Sequence, residues 1–273
     1  MTFLVRDEID VIQTMLDFHF RCGVGHMIVT DNGSVDGTLD VLHEYASSDS
    51  VLLLHEPPSD FSQHRWVSRM AHLAQDVMKA DWIIHADADE LFVPSSSSSL
   101  KQALSAVDED LEVLKIKRHD FVACERSFRE APQMEMIVRK SKSLNLAGNP
   151  LPPKVMHRSI PFCQITQGNH GVRSSRDLKT RSCGSISIFH YPIRSYDQFR
   201  SKVANGGSGY AVNNKLDIGS GFHKRYWYKL LMEGKLEHLF YNEYFFSQSK
   251  LHAGLSDGSL IEDCTVPQII IDV

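Results

Sequence analysis

No apolar run in this sequence approaches the roughly 20 residues that cross a bilayer; Ile269-Ile270-Ile271 is typical of the longest. Met1–Glu8 have neither the basic start nor the apolar stretch of a secretory signal, so a cytoplasmic location is expected. Peripheral association with a membrane stays open. There is no basic excess. Lys plus Arg number 29 against 34 Asp plus Glu, a net charge of −5, so nucleic acid is not an expected partner. Paired cysteines are missing too. Cys22, Cys124, Cys163, Cys183 and Cys264 are an odd, scattered set without a CxxC, which suggests neither a zinc cage nor a disulfide framework. Free thiols in a reducing compartment are the plain reading.

What is present is ordinary for a folded chain. A hydrophobic fraction of 42% and a charged fraction of 23% exclude wholesale disorder. The length of 273 residues suits one large domain or two small ones. The first ninety residues alternate short apolar runs with helical periodicity. Thr2–Val5, Met27–Thr30, Val51–Leu54 and Asp81–Ala86 read as strands. Glu8–Cys22, a stretch ending near Tyr45, and Phe61–Met78 read as helices between them. That alternation predicts an α/β fold with a parallel, doubly wound sheet. Ser95–Ser99 reads as a surface loop, Leu100–Val107 as a helix, and Glu112–Lys117, Met134–Lys140 and Ser185–Phe189 as strands. Residues 145–185 look loop-rich, and Ser195–Ala204 and Lys224–Glu233 look helical. The expectation is one domain over 1–273, with a regular half over 1–115 and a loop-rich half over 116–273.

Ligands of open parallel sheets bind at the carboxyl ends of strands. Three expected strands end in polar clusters: Arg6-Asp7-Glu8, Asp31-Asn32-Gly33-Ser34 and Asp87-Ala88-Asp89-Glu90. If the topology holds, they meet on one edge. Asp87 and Asp89 follow a buried strand, and paired carboxylates repel unless a cation neutralises them. Alternation along a strand puts residues two apart on one side. Both can then face a divalent metal, Mn2+ or Mg2+, carrying a diphosphate; the plainer alternative is an acidic turn. Asp31 can accept from a base or ribose, or simply build a strand–turn–helix connection with a good cap. His170 and His190 are candidates for a metal shell or a base, with His170 favoured for the metal and His190 for the acceptor side. Asp120 and Glu125 are further base candidates. Lys154, Arg158, Arg194 and Lys202 can meet a diphosphate, or remain surface charges.

Taken together, Val5-Arg6-Asp7-Glu8, Thr30-Asp31-Asn32-Gly33-Ser34-Val35-Asp36-Gly37-Thr38 and Asp81–Leu91 resemble family 2 glycosyltransferases. The likeness is to their branch with an R-[N/D]-E start and a D-x-D-E motif. The His190–Lys202 segment resembles that branch's H-Y-x-x-[R/K]-S-x-x-x-F-x-x-K pattern. The resemblance implies a GT-A fold, in which a Rossmann-like half is merged with a loop-rich acceptor-binding half. It implies a nucleotide-sugar donor, a hydroxyl acceptor on a glycan, lipid-linked sugar or polysaccharide, a divalent metal, and inversion at the anomeric carbon. By position it puts Val5, Arg6 and Glu8 beside the nucleotide and Asp31 on the base or ribose. Gln63 falls on the donor-side helix, Asp87 and Ala88 beside the ribose or metal, and Asp89 on the metal. Asp7 stands where Asn is commoner. Two rival readings are a nucleotidyltransferase, for which the Gly-rich basic loop after the first strand is lacking, and a non-catalytic nucleotide-sugar-binding module.

Overall fold

The computed structural model describes residues 1–57, 63–95, 99–125, 131–145, 147–212 and 222–271, leaving aside the side chains of 207–212 and 222–224. Strand and helix alternate at first: β1 (Thr2–Val5), α1 (Ile12–Arg21), β2 (Met27–Asp31), α2 (Thr38–Ala46), β3 (Val51–His55), α3 (Gln63–Asp76) and β4 (Trp82–Asp87). Next come β5 (Glu90–Pro94), α4 (Leu100–Ser105), β6 (Val113–Ile116), β7 (Arg118–Asp120), α5 (Pro132–Glu135) and β8 (Val138–Lys140). Five short strands follow: β9 (Lys154–Arg158), β10 (Gln164–Ile165), β11 (Val172–Arg173), β12 (Thr180–Ser182) and β13 (Ile186–His190). The remainder is α6 (Tyr196–Val212), α7 (Phe222–Met232), α8 (Leu236–Leu239), α9 (Gln248–Asp257), β14 (Leu260–Glu262) and α10 (Thr265–Ile271). None of the described helices is long and apolar enough to cross a membrane. No disulfide joins any of the cysteines among the described residues.

Two compact units divide the chain. The first comprises Met1–His119 and Leu151–His190. Its seven-stranded sheet runs β12-β6-β9-β4-β1-β2-β3. β1 to β4 are mutually parallel, as the alternation predicts, with Val5 opposite Asp31 and Leu4 opposite Asp87. β9 runs antiparallel to both β4 and β6, so the large sheet is mixed rather than wholly parallel. That strand lies inside the stretch expected to be loop. Its sequence Lys154-Val155-Met156-His157-Arg158 looks half polar, but the first four side chains are buried. It also moves the expected boundary. Residues 151–190 belong with the N-terminal unit, not with a half starting at 116, because β9 is an interior strand of its sheet.

Periodicity explains the helices that cover this sheet. α3 lays Val67, Met70, Ala71 and Ala74 on Ile28, Ile83, Val113 and Val155. Spacings of three and four residues place them on one face. Each such side chain contributes about 1.5–3 kcal/mol on burial. α1 buries Ile12, Met15, Leu16 and His19 in the same way. It begins at Ile12, not Glu8; the amides of Glu8 and Ile9 ahead of it donate to Thr38 Oγ1 and Asp36 Oδ2. Of the expected serine loop, Ser96–Ser98 lie outside the described residues. Ser99 caps α4, its hydroxyl accepting from Gln102 N–H. A three-stranded sheet, β5-β13-β7, places His190 opposite Glu90.

The second unit comprises Asp120–Pro150 and Tyr191–Val273. Its helical part is built on Ile193, Phe199, Val203, Leu236 and Phe240, with Trp227 and Tyr244 packed against them. A smaller cluster of Val122, Val138 and Leu260 sits beside the antiparallel pair β8 and β14. The strand expected over Met134–Lys140 is split. Pro132 opens a one-turn helix, as its fixed φ favours, and only Val138–Lys140 is extended.

Candidate functional site

Strand order reverses beside β1: β2 and β3 lie to one side, β4 to the other. The carboxyl ends of β1, β2 and β4 therefore share one edge at a topological switch point. The three polar clusters meet there, as expected.

The first two clusters are laced together. Asp7 adopts φ 53, the left-handed region where Asn and Asp are the commonest non-glycine residues. That explains why either residue suits this position. Asp7 Oδ1 accepts from Val35 N–H at 2.8 Å, and Asp7 N–H donates to Ser34 Oγ at 3.0 Å. Arg6 Nε lies 3.8 Å from Asp7 Oδ2. Asp31 is buried, and its carboxylate accepts from the N–H groups of Gly33 (3.0 Å) and Ser34 (3.2 Å). Gly33 at φ 76 and Gly37 at φ 101 make the turns that other residues resist. The Asn32 side chain donates to Glu56 O and Pro57 O, tying this turn to the chain after β3.

The third cluster is held from a distance. Asp87 Oδ2 accepts from Lys154 Nζ at 2.5 Å, and Asp87 Oδ1 from Asn169 Nδ2 at 3.4 Å and Gln63 Nε2 at 3.5 Å. Glu90 is wholly buried. Its carboxylate lies 3.2 Å from Lys154 Nζ and 3.5 Å from Arg118 Nη1, and it also accepts from Asp87 N–H. Burial opposes charge on all three partners. Burial raises the carboxyl of Glu90, whereas on Asp87 the Lys154 ammonium outweighs burial and holds the carboxyl below its usual range. Burial likewise works against the Lys154 ammonium, but Asp87 and Glu90 more than offset it and stabilise the charge.

The expected metal shell of Asp87, Asp89 and His170 is not assembled: among the described residues, no three His, Cys, Asp or Glu side chains converge to hold an ion. The reason is local. β4 ends at Asp87, and Ala88 and Asp89 lie in the turn before β5, so strand alternation does not carry through the motif. Asp87 faces Lys154, while Asp89 is buried with His190 Nε2 at 3.7 Å from its Oδ1. His170 stands on its own scaffold. Its Nδ1 meets Pro153 O at 2.9 Å, an acceptor, so Nδ1 carries the hydrogen and Nε2 keeps a lone pair. Burial pushes its pKa down and favours the neutral ring. Gly168, at φ 74, packs on that ring; a Cβ there would come within 2.7 Å of Nε2.

A model of glycosyltransferase family 92 matches residues 5–206. The chain belongs to glycosyltransferase family 92. The shared motifs resemble family 2, but family 92 is the one whose model matches. No curated protein sequence matches. Among solved structures, residues 1–349 of S. aureus TarS are similar at 15% identity, over 89% of this chain and 71% of that one, with a TM-score of 0.43. A second TarS structure is similar at 15% identity over 91% of this chain, with a TM-score of 0.43; this chain spans only 44% of it. A TarS complex with UDP is similar at 15% identity, over 89% and 73% of the two chains, with a TM-score of 0.42.

In this glycosyltransferase the other candidate residues lie in the second unit. Arg194 is buried and donates from Nη1 to Tyr191 O at 3.0 Å; Lys202 Nζ donates to Pro192 O at 3.1 Å. Both cations thus bind backbone carbonyls of their own segment. Asp120 is buried, with its N–H on Ser143 Oγ, and Glu125 is exposed. Back in the first unit, Val5 and Ala88 are buried at the site edge and Glu8 is half-buried. Three participants were given no role from the sequence. Glu90 was visible as the last residue of the D-x-D-E motif, Arg118 as one basic residue of several, and Asn169 as the neighbour of His170.

Proposed function

We propose that this family 92 glycosyltransferase takes a sugar from a nucleotide-sugar donor and passes it, with inversion, to a hydroxyl of a glycan, lipid-linked sugar or polysaccharide. One observation carries the reading: Asp31 and Asp87 end two parallel strands, and Arg6 directly follows the strand between them, at the point where the strand order reverses. A GT-A arrangement is consistent with this mixed sheet. Arg6 and Asp31 hold the nucleotide, and Asp87 takes a ribose or sugar hydroxyl on its outer face. Lys154 offsets the charge of Asp87 and Glu90, which would otherwise repel a diphosphate.

The donor set suits a divalent metal in one form. Magnesium-like ions are commonly held by one or two carboxylates completed by substrate phosphates. Since no three His, Cys, Asp or Glu side chains converge among the described residues, Asp89 and Asp87 alone would hold such an ion, with substrate phosphates completing its shell. When bound, it supplies positive charge to the leaving nucleotide. His190 is the base. Its imidazole takes the acceptor's proton as the acceptor oxygen bonds to the anomeric carbon and the bond from that carbon to the diphosphate breaks. Asp89 Oδ1 lies 3.7 Å from Nε2 of that ring.

Incubation with a panel of nucleotide sugars, with and without Mn2+ or Mg2+, tests this through release of free nucleotide. No release from any donor would overturn the donor reading. Asp89→Ala is expected to lower metal-stimulated release on the order of 100-fold. Full activity of that variant, or of wild type in excess chelator, would remove the metal and leave the donor reading standing.

A further inference from the structure

Asn169 combines two features that a chain selected only for stability would avoid. Its backbone sits at φ 60, in the left-handed region. Its Oδ1 is buried and has no hydrogen-bond partner among the described residues, in a residue only 2% exposed. A buried acceptor left unmade lowers stability. Glycine would remove both costs, and glycine already precedes it at Gly168.

The same side chain touches the site. Nδ2 donates to Asp87 Oδ1 at 3.4 Å, and because a carboxylate only accepts, this contact fixes which end of the amide is nitrogen. Gln63 supplies a second donor to that oxygen at 3.5 Å. The Gln63 carbonyl also accepts from Gln167 Nε2 (3.1 Å) and Gly168 N–H (3.3 Å), which clasps the turn 167–169 against the start of α3. With Lys154 on Oδ2, the Asp87 carboxylate is held by three donors. Its side chain is still 36% exposed, so one face stays open.

We infer that Asn169 is a positioning residue for Asp87, and that it lowers the stability of its own turn in doing so. This rests on the donor reading above. Strain concentrated at a site is what pre-organisation produces. Gln63 has a different role: it holds the turn as well as the carboxylate, so stability and binding depend on it together.

The two roles separate by experiment. Thermal unfolding, and calorimetric titration with UDP and with GDP in Mn2+, are measured on wild type, Asn169→Gly, Asn169→Asp and Gln63→Ala. Asn169→Gly is expected to keep or raise the unfolding temperature while weakening nucleotide binding about tenfold, the effect of one charge-assisted hydrogen bond. Asn169→Asp tolerates the backbone but puts a carboxylate beside Asp87, and weakens binding further. Gln63→Ala lowers both readouts. Wild-type affinity in Asn169→Gly would overturn the positioning role while leaving the donor reading intact. A parallel loss of stability and binding in Asn169→Gly would make the residue structural, and overturn the inference as well. A wild type that binds neither nucleotide would overturn the donor reading and this inference with it.

Discussion

The ends of β2 and β4 each present an aspartate to the same edge, yet the two carboxylates are held in opposite ways. Asp31 is satisfied by amides two and three residues ahead of it. Asp87 is satisfied by residues 24, 67 and 82 positions away in the chain. One is a turn that builds itself; the other is a junction of α3, β9 and the turn after β10. The difference shows how one residue type at equivalent strand ends serves different purposes. A local carboxylate shapes backbone, whereas a remote-held one can be tuned in charge and direction by its partners.

Removing a remote partner should have the largest effect. Lys154→Met leaves Glu90 buried without its ammonium and Asp87 with a charge only partly open to water. Breaking a buried pair from one side costs roughly 3–5 kcal/mol. Urea unfolding measures it, and Lys154→Met combined with Glu90→Gln should recover part of the loss. A loss under about 1 kcal/mol would mean that Asp87 is as self-sufficient as Asp31.

Acid should sharpen the same contrast. β4 also carries His85, whose Nε2 lies 2.9 Å from Nε2 of His157 on β9, with Thr2 Oγ1 on its Nδ1. Burial pushes the pKa of His157 down from 6.5 to about 4 and that of His85 well below 6.5. The unfolded chain takes up protons below about pH 6.5 that the folded chain refuses. This contribution to stability is therefore complete above about 6.5 and is lost as pH falls toward about 4, up to about 3 kcal/mol for His157. Denaturation at stepped pH should show the slope, and His157→Gln should reduce it by about one proton. An unchanged slope would mean that these imidazoles are not kept neutral by the fold.

The smallest effect is expected at β2. Asp31→Ala frees two turn amides near solvent, which costs about 1 kcal/mol. Asp31→Asn keeps an acceptor oxygen and should stay within about 0.5 kcal/mol of wild type. Titration with UDP and GDP on both variants separates turn building from ligand contact: unchanged affinity in Asp31→Ala assigns Asp31 to the turn alone.

Much of the site was legible because its signals are local. The clusters at Arg6, Asp31 and Asp87 stand at strand ends that apolar runs mark, and parallel pairing brings them to one edge. Asp7 fits its left-handed backbone by residue type alone. The D-A-D motif marked the end of β4 but not the directions of its side chains, because where β4 stops is set by the turn into β5.

The sequence by itself determined the alternating α/β start, the edge where the polar clusters gather, and the motifs that mark a glycosyltransferase. Periodicity and turn chemistry act over a few residues, and each can be read within its own window. Only the tertiary structure decided that β9 would run antiparallel between β4 and β6 and carry Lys154 to Asp87 and Glu90. It also brought Asn169 and Gln63 to one carboxylate oxygen and ended β4 at Asp87, which leaves Asp89 in the turn before β5. Those outcomes depend on which register buries the most apolar surface while leaving the fewest buried charges unpaired. That balance is struck over the whole sheet and is not written in any one segment of it.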